Sequence, residues 1–121
     1  MENVIEIISK KVFSLDRAQH LLPLIIKITE EAEKEKRALL VRLEIAQLQQ
    51  NMILQRQIER EMDQAVDRWF MKVEKLGGTP KGLWFVDFDN GAGYYCWRYP
   101  EPRIMYYHGY DDGFSARLLI R

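Results

Sequence analysis

The sequence between Pro23 and Gly77 contains neither glycine nor proline. These two residues weaken or end helices, so their absence from residues 24–76 favours a long helical region. Ser14 precedes the first periodic apolar residue and is a good N-cap, and Asp16 in the first turn suits the helix dipole. Because Pro23 falls inside the helical pattern, we expect a kink or local unwinding just before it.

Two series of residues at helical spacing, in alternating steps of four and three, run through this region. The first consists of Ala18, Leu22, Ile25, Thr29, Ala32, Lys36, Leu39, Leu43 and Ala46. The second consists of Leu48, Met52, Gln55, Glu59, Met62, Val66, Trp69, Val73 and Leu76. The series are out of phase, and a polar run separates them, so we predict a chain reversal near residues 46–52. The alternative is one helix over residues 15–76, about 90 Å long, which would need another chain to cover its stripe.

After the helices, turn residues and aromatic residues dominate the sequence. Gly77 and Gly78 are expected to cap the second helix, and Pro80 to prevent its resumption. Eleven of the fourteen aromatic residues lie between Trp84 and Phe114. Turn sequences divide this part into three predicted strands, at residues 83–88, 94–98 and 103–108.

The predicted fold class is therefore α+β: a long antiparallel helical hairpin followed by a small three-stranded antiparallel β-meander. The length of the chain, 121 residues, suits one domain. We expect a single domain over residues 1–121, with an N-terminal arm at 1–13, the hairpin at 14–76, and the aromatic-rich sheet and C-terminal tail at 82–121.

Alternation along these strands predicts two sheet faces, both rich in large apolar groups. One face would carry Trp84, Val86, Phe88, Tyr94, Cys96, Arg98, Ile104, Tyr106 and His108. The other would carry Leu83, Phe85, Asp87, Tyr95, Trp97, Arg103, Met105 and Tyr107. The helical hairpin can cover one face. We therefore expect the N-terminal arm, a partner or a second copy of the chain to cover the other.

Composition excludes several classes of protein. Eighteen basic residues balance eighteen acidic ones, with thirteen of each in residues 1–80 and five of each in residues 81–121, so nucleic acid is not an expected partner. No window approaches the roughly 18 apolar residues of a membrane span, and no secretory leader is evident. Cys96 is the sole cysteine, which suits a reducing compartment. The expected location is the cytoplasm.

Several motifs resemble those of a prokaryotic family known as domain of unknown function 2203. They are the helix opening Phe13-Ser14-Leu15-Asp16-Arg17-Ala18-Gln19-His20-Leu21-Leu22-Pro23, then Val86-Asp87-Phe88, Cys96-Trp97-Arg98, Glu101-Pro102, Ile104, Tyr107-His108 and Gly113-Phe114-x-x-Arg117. The chain departs from the pattern where Arg17, Asp89, Pro100 and Tyr107 stand in place of glutamate, proline, glycine and tryptophan. Since the family has no established activity, the resemblance implies a fold and a prokaryotic origin rather than a function.

The polar residues inside these motifs allow different interpretations. Arg98 with Glu101, and Arg117 with Asp87 or Asp111, would form structural ion pairs that hold turns. Alternatively, Arg98 and Arg117 would bind the anionic group of a small ligand. Cys96 and His108 would share one sheet face, as a metal site or as a nucleophile and its base, but a metal needs at least three ligands. The charged segment 30–37 reads as a solvated helix face with pairs such as Glu33–Arg37, or as a coiled-coil flank.

The expected function is that of a non-enzymatic oligomerising or partner-binding module, with a homodimer as the first expectation. Its predicted interface residues are Tyr95, Trp97, Met105 and Tyr107, since aromatic residues are enriched at interfaces. The alternative is a small-molecule binding protein or enzyme, with an anionic ligand held by Arg98, Glu101, His108 and Arg117. The sequence predicts no catalytic residue, no metal ligand and no cofactor.

Overall fold

A computed structural model of the protein describes residues 12–121, so most of the predicted arm at residues 1–13 lies outside the described residues. The elements in chain order are α1 (Leu15–Leu48), α2 (Met52–Lys75), β1 (Thr79–Gly82), β2 (Phe85–Asp89), β3 (Tyr94–Arg98), β4 (Tyr106–His108), a 3-10 helix (Phe114–Ala116) and β5 (Leu118–Leu119). They form two compact units. One unit is Lys27–Lys72, and the other contains residues 12–26 together with Val73–Arg121.

The boundaries of the helices follow the predicted signals. Ser14 Oγ accepts a hydrogen bond from the Arg17 amide at 3.2 Å, which confirms the N-cap of α1. The helix continues through Pro23 without the predicted local unwinding. The chain reverses between Leu48 and Met52, so the prediction of two helices is confirmed and that of one continuous helix is wrong. In the described part of the chain, neither helix contains a segment long and apolar enough to cross a membrane.

The unit Lys27–Lys72 contains the chain reversal and the parts of α1 and α2 on either side of it. Its core contains Leu39, Ala46 and Ile58, with Leu43, Leu54 and Met62 packed against them. Near the other end of the unit, the indole Nε1 of Trp69 donates a 2.9 Å hydrogen bond to Thr29 Oγ1. The first predicted stripe is confirmed, because all its members are buried or half-buried.

The second predicted stripe is correct only in its later part. Trp69 and Val73 are buried as expected, but Leu48 and Met52 are exposed. Asn51 caps α2 by accepting a hydrogen bond from the Leu54 amide, and the helix that follows turns a different face toward α1. That face contains Leu54, Ile58, Met62, Ala65 and Trp69. The predicted face was wrong here because the stripe included the polar residues Gln55 and Glu59.

The remaining chain forms a five-stranded antiparallel meander in the order β1-β2-β3-β4-β5. The α+β class and the meander are confirmed, but the predicted count of three strands is wrong. β1 was missed because Thr79-Pro80-Lys81-Gly82 has the composition of a turn, and β5 because it has two residues. Gly77 adopts the predicted left-handed cap, with φ of 96°, and the Gly78 amide donates to Val73 O at 3.1 Å.

The register between β2 and β3 differs from the predicted one by a single residue. Asp89 pairs with Tyr94, so the loop contains the four residues 90–93, and Asp87 pairs with Cys96. Since side chains alternate along a strand, this shift places every side chain of β2 on the face opposite to the predicted one. Val86 and Phe88 therefore lie on the face of Tyr95, Trp97 and Tyr107, which we call the inner face. The outer face carries Phe85, Asp87, Asp89, Tyr94, Cys96, Arg98, Tyr106 and His108.

The inner face forms the core of its unit. The rings of Phe13 and Phe88 meet edge to face at 5.3 Å, and Val86, Phe88 and Trp97 are fully buried. The side-chain amide of Gln19 makes two hydrogen bonds of 3.0 Å to the backbone of Ile104, one as donor and one as acceptor. The start of α1 is thus fixed to the segment before β4.

The outer face is covered by the chain's own C-terminal segment. Phe114 packs on Phe85 with ring centroids 4.5 Å apart, and Tyr110 packs on Tyr94 at 5.2 Å. The guanidinium of Arg117 lies 3.9 Å from the ring centroid of Tyr106. We had expected the N-terminal arm, a partner or a second copy here. Residues 109–117, which the sequence did not predict as a cover, lie over this face.

Candidate functional site

A cavity of about 330 Å³ lies between the outer face of the sheet and the C-terminal segment that covers it. Its lining residues are Lys81, Phe85, Asp87, Tyr94, Cys96, His108, Tyr110, Asp112, Gly113 and Phe114. Strands β2, β3 and β4 provide the floor, and the residues after β4 provide the opposite wall. We call this space the outer-face cavity.

Three buried residues with different ligand atoms meet at the floor of the outer-face cavity. Asp87, Cys96 and His108 are 3%, 1% and 5% exposed. A carboxylate oxygen, the thiol sulfur and a ring nitrogen of these residues all lie within 4.8 Å of one another. The register explains the meeting, because Asp87 pairs with Cys96, and His108 lies on the same face beside them. We call these three residues the floor cluster.

The ring of His108 lies between two hydrogen-bond acceptors. Its Nδ1 is 2.9 Å from the carbonyl oxygen of Gly109, and its Nε2 is 3.1 Å from Oδ2 of Asp87. A carbonyl oxygen can only accept, so Nδ1 carries a proton, and a neutral ring then has a lone pair at Nε2. A lone pair facing an ionised carboxylate is repulsive. The contact therefore needs a proton shared by Nε2 and Oδ2, carried by either residue, or a metal ion bound to both.

The thiol of Cys96 is held in its protonated form when no cation is bound. Burial raises its pKa from 9.0 to about 12, the neighbouring Asp87 carboxylate adds to this rise, and the Arg117 guanidinium opposes it. Such a thiol is a poor nucleophile at neutral pH, because the thiolate is the reactive form. A bound metal ion would reverse this preference by taking the thiolate as a ligand.

The predicted ligand-binding residues are not brought together in this cavity. Glu101 and Arg117 form a bidentate ion pair with distances of 3.1 and 2.9 Å, and Glu101 Oε1 also accepts the Arg98 amide at 2.8 Å. This geometry matches the interpretation as an ion pair that holds a turn, although Arg117 pairs with Glu101 rather than with Asp87 or Asp111. Of the four predicted residues, His108 alone lines the outer-face cavity.

The remaining predicted residues have varied surroundings. The Arg98 guanidinium lies 5.7 and 5.8 Å from the ring centroids of Phe85 and Phe114 at the surface. Trp97, which we had placed at an interface, is buried in its own chain, and its indole donates to Glu101 O at 2.8 Å. The other three predicted interface residues are half-buried or exposed, namely Tyr95, Met105 and Tyr107.

The sequence did not place Asp87 beside Cys96 and His108, because the predicted register put it on the other sheet face. With only two candidate ligands on one face, a metal site was not expected. The signal that would have found it is the length of the loop: pairing Asp89 with Tyr94 leaves four loop residues and turns Asp87 toward Cys96.

A larger groove of about 570 Å³ lies beside the start of α1. Its lining residues are Phe13, Asp16, Arg17, His20, Leu21, Lys75 and Leu76. The charged and polar members of this set are exposed. Since it has no buried polar group to orient a ligand, the groove is a weaker candidate than the outer-face cavity.

Comparison with known proteins identifies the family. The family described as an uncharacterized conserved protein, DUF2203, matches residues 11–120, which is nearly the whole chain. The protein belongs to this family, as its motifs had indicated. No curated protein matches the chain, and no solved structure does.

Proposed function

We propose that the protein binds a small molecule in the outer-face cavity. The observation that supports this most is the floor cluster, three buried polar residues at the base of an otherwise largely aromatic space. Ligand sites are typically concave, lined by apolar side chains, and supplied with a few polar groups that orient the ligand. The cavity volume of about 330 Å³ lies at the lower end of the usual range.

The lining indicates the chemistry of the ligand. Phe85, Tyr94 and Phe114 offer aromatic walls, which favour a flat apolar body of one or two rings. The ammonium group of Lys81, 5.5 Å from the ring centroid of Tyr94, lies at the same wall and suits an anionic group. We therefore propose a small aromatic or similarly flat anion as the ligand. This keeps the anionic ligand of the alternative interpretation of the sequence but moves its site away from Arg98, Glu101 and Arg117.

Nuclear magnetic resonance of the full chain tests this proposal. Single-ring carboxylates and their matched neutral amides would be titrated into ¹⁵N-labelled protein. We expect the carboxylates to shift the amide signals of Tyr94, Cys96 and His108 in a saturable manner, and the amides to bind more weakly. An absence of shifts with every compound would contradict the proposal.

A pair of variants shows whether the shifts come from the cavity. Gly113 lines the cavity, has an ordinary φ of −95°, and has open space around the position of a Cβ atom. Gly113→Phe should therefore obstruct the cavity without straining the backbone, and should abolish the shifts. Ser115→Phe adds a ring at an exposed position outside the lining and should leave them unchanged. Shifts that persist in Gly113→Phe would place the ligand elsewhere.

A second candidate function, self-association, is supported by the exposed end of the hairpin. Around the reversal, Leu48 and Ile53 are 85% and 81% exposed, and Val41, Ile45 and Met52 are about half exposed. The intervening Gln47, Gln49, Gln50 and Asn51 carry no charge that would repel a second copy. We propose that two copies of the chain associate through this apolar end, rather than through the sheet. We also propose a cytoplasmic location, where a reducing environment would preserve the free thiol of Cys96.

Light scattering at micromolar concentrations tests the association. We expect a dimer for the wild-type chain and a monomer for the double variant Leu48→Glu/Ile53→Glu. Leu118→Glu alters an exposed leucine on β5 and should leave the dimer intact. A monomeric wild-type protein at the highest concentration would exclude self-association through any surface.

A further inference from the structure

We propose that Asp87, Cys96 and His108 bind a divalent transition-metal ion, most suitably Zn²⁺, at the floor of the outer-face cavity. This inference deepens the proposed function, since it names a cofactor for the same site. Zn²⁺ accepts this combination of nitrogen, sulfur and oxygen ligands. All three ligands belong to strands of one sheet, so rigid elements position them.

The geometry needs little adjustment to hold the ion. Around a tetrahedral Zn²⁺, ligand atoms lie about 3.4–3.7 Å apart, as bond lengths of about 2.0–2.3 Å require. The corresponding atoms of the floor cluster already lie within 4.8 Å of one another. Movements of about 1 Å, within the reach of small side-chain rotations, would bring all three ligand atoms to bonding distance of the ion.

The charges of the cluster also fit a divalent ion. A carboxylate from Asp87 and a thiolate from Cys96 supply two negative charges, and a neutral His108 adds none. One divalent ion brings the formal sum to zero, which removes the cost of burying an unpaired charge. It would also replace the proton that Nε2 of His108 and Oδ2 of Asp87, 3.1 Å apart, otherwise share.

The surroundings of the ligands resemble the second shell of a metal site. A metal-binding histidine usually donates its other ring N–H to a carbonyl or a carboxylate, which fixes the tautomer and the ring orientation. His108 has this partner in the carbonyl oxygen of Gly109, at 2.9 Å. On the other side, Arg117 stabilises negative charge on the Cys96 sulfur and is itself held by Glu101.

The fourth coordination position would face the cavity. Three protein ligands and one open position are the pattern of zinc sites that bind water or a substrate group. In the proposed site, water would occupy this position until the anionic group of the ligand replaces it. The metal would then supply the strongest attraction for an anion in a cavity whose floor otherwise carries the negative charge of Asp87.

Cobalt substitution tests the site directly. The untagged full chain, treated with a chelator and then dialysed, would be titrated with Co²⁺. We expect one ion per chain, visible d–d bands of a tetrahedral complex, and a near-ultraviolet charge-transfer band from a thiolate to cobalt. Added Zn²⁺ should displace the cobalt and remove these bands. A folded wild-type chain that shows no stoichiometric band would overturn the proposal.

Variants assign the ligands. Cys96→Ser should remove the charge-transfer band. Asp87→Asn and His108→Asn should each weaken binding by at least about 100-fold, since loss of a residue that only hydrogen-bonds to a metal ligand already costs about 10–100-fold. His20→Asn alters the other histidine, which is exposed on α1, and should change nothing. Circular dichroism would establish that each variant is folded. For a variant that does not fold, Cys96 and His108 can still be assigned in the wild-type chain, by the charge-transfer band and by paramagnetically shifted imidazole signals. Cobalt bound without a thiolate band would exclude Cys96 and overturn the site.

The two proposals fail in different ways. If Co²⁺ binds with the expected spectrum but no carboxylate shifts the cavity signals, the metal inference stands and the ligand-binding proposal is wrong. If carboxylates bind in the cavity of a chain that takes up no Co²⁺, ligand binding stands and the metal inference is wrong. If both stand, carboxylates should alter the d–d bands of the cobalt-loaded wild type, and not those of Gly113→Phe.

Discussion

The two faces of the sheet are built from alternate residues of the same strands, and both are buried, but for different physical reasons. On the inner face, Val86, Phe88 and Trp97 are apolar, and removing them from water is itself favourable. On the outer face, Asp87 and His108 are almost as deeply buried, although burial of polar and charged groups costs free energy. Apolar packing therefore accounts for the inner face, whereas the outer face depends on polar contacts such as that between Asp87 and His108, and these buried polar groups are the ones that could bind a ligand or metal.

The largest expected effect concerns the reactivity of Cys96 on the outer face. In metal-free protein near neutral pH, a pKa of about 12 instead of 9.0 lowers the thiolate fraction about 1,000-fold. A thiolate of higher pKa is intrinsically more nucleophilic, which offsets part of this loss, while burial also restricts access of a reagent to the sulfur. The thiol should therefore react with a disulfide reagent at least about 30-fold more slowly in the native chain than in denaturant. Comparison of the two rates checks this, and a difference below tenfold would contradict the buried, protonated thiol.

The same pKa predicts a pH dependence of stability. The native thiol holds its proton more tightly than the unfolded one, so the unfolded chain ionises first as the pH rises. The contribution of the Cys96 thiol to the free energy of unfolding is fully present below about pH 9 and is lost progressively between about pH 9 and 12. The free energy of unfolding of chelator-treated protein, from urea titrations across this range, should fall more steeply for the wild type than for Cys96→Ala. Equal slopes would contradict the raised pKa.

On the inner face, stability should depend on the volume of the buried apolar side chains rather than on charge. Trp97→Ala removes a fully buried ring and should lower the free energy of unfolding by about 3–5 kcal/mol. Tyr107→Ala, at a position 40% exposed, should cost about 1 kcal/mol or less. Urea unfolding of both variants provides the comparison. Similar losses would show that Trp97 does not have the central place in the core that its burial indicates.

The sequence predicted the helices and the bounds of individual strands better than the faces of the sheet, because burial of apolar stripes follows periodicity. The stripe from Ala18 to Ala46, the reversal before Met52 and the bounds of β3 all follow from the spacing and type of local residues. Where polar residues entered a stripe, as with Gln55 and Glu59 on α2, the predicted face was wrong. The residues of α2 that face α1 are set by where the helix begins, at its Asn51 cap, and not by the helix propensity of each residue.

The floor cluster depends on a feature that residue types do not determine. Asp87 reaches Cys96 only because the loop after β2 contains four residues, and a one-residue change would place it on the other face. The cover over the outer face depends in the same way on long-range contacts, such as that of Phe114 with Phe85. The glycines and charged residues of segment 109–117 are typical of an exposed tail, so composition alone does not predict that this segment packs on the sheet.

Two glycines near the outer face, Gly93 and Gly113, differ in how much space surrounds them. A Cβ atom at Gly93 would lie 2.6 Å from the backbone oxygen of His108, whereas one at Gly113 would meet nothing within 4 Å. Gly93→Ala should cost about 1–3 kcal/mol of stability and weaken Co²⁺ binding, because it displaces the backbone that carries His108. Gly113→Ala should change stability by less than about 1 kcal/mol. Urea unfolding and cobalt titration measure both, and equal effects would contradict the close approach.

The smallest expected effect is the difference in coupling energy between two ion pairs, one in the segment that covers the outer face and one on the helix surface. The side chains of Arg117 and Glu101 are 13% and 16% exposed and meet in two hydrogen bonds, whereas those of Arg37 and Glu33 are 68% and 24% exposed. A double-mutant cycle with alanine should give a coupling energy of about 1–2 kcal/mol for the first pair and about 0.3–0.5 kcal/mol for the second. The difference arises because partial burial reduces screening by solvent and a bidentate contact fixes the geometry. If the two coupling energies are equal, the pair does not hold the cover in place, and closure of the outer-face cavity must depend on the aromatic contacts of Phe114 and Tyr110.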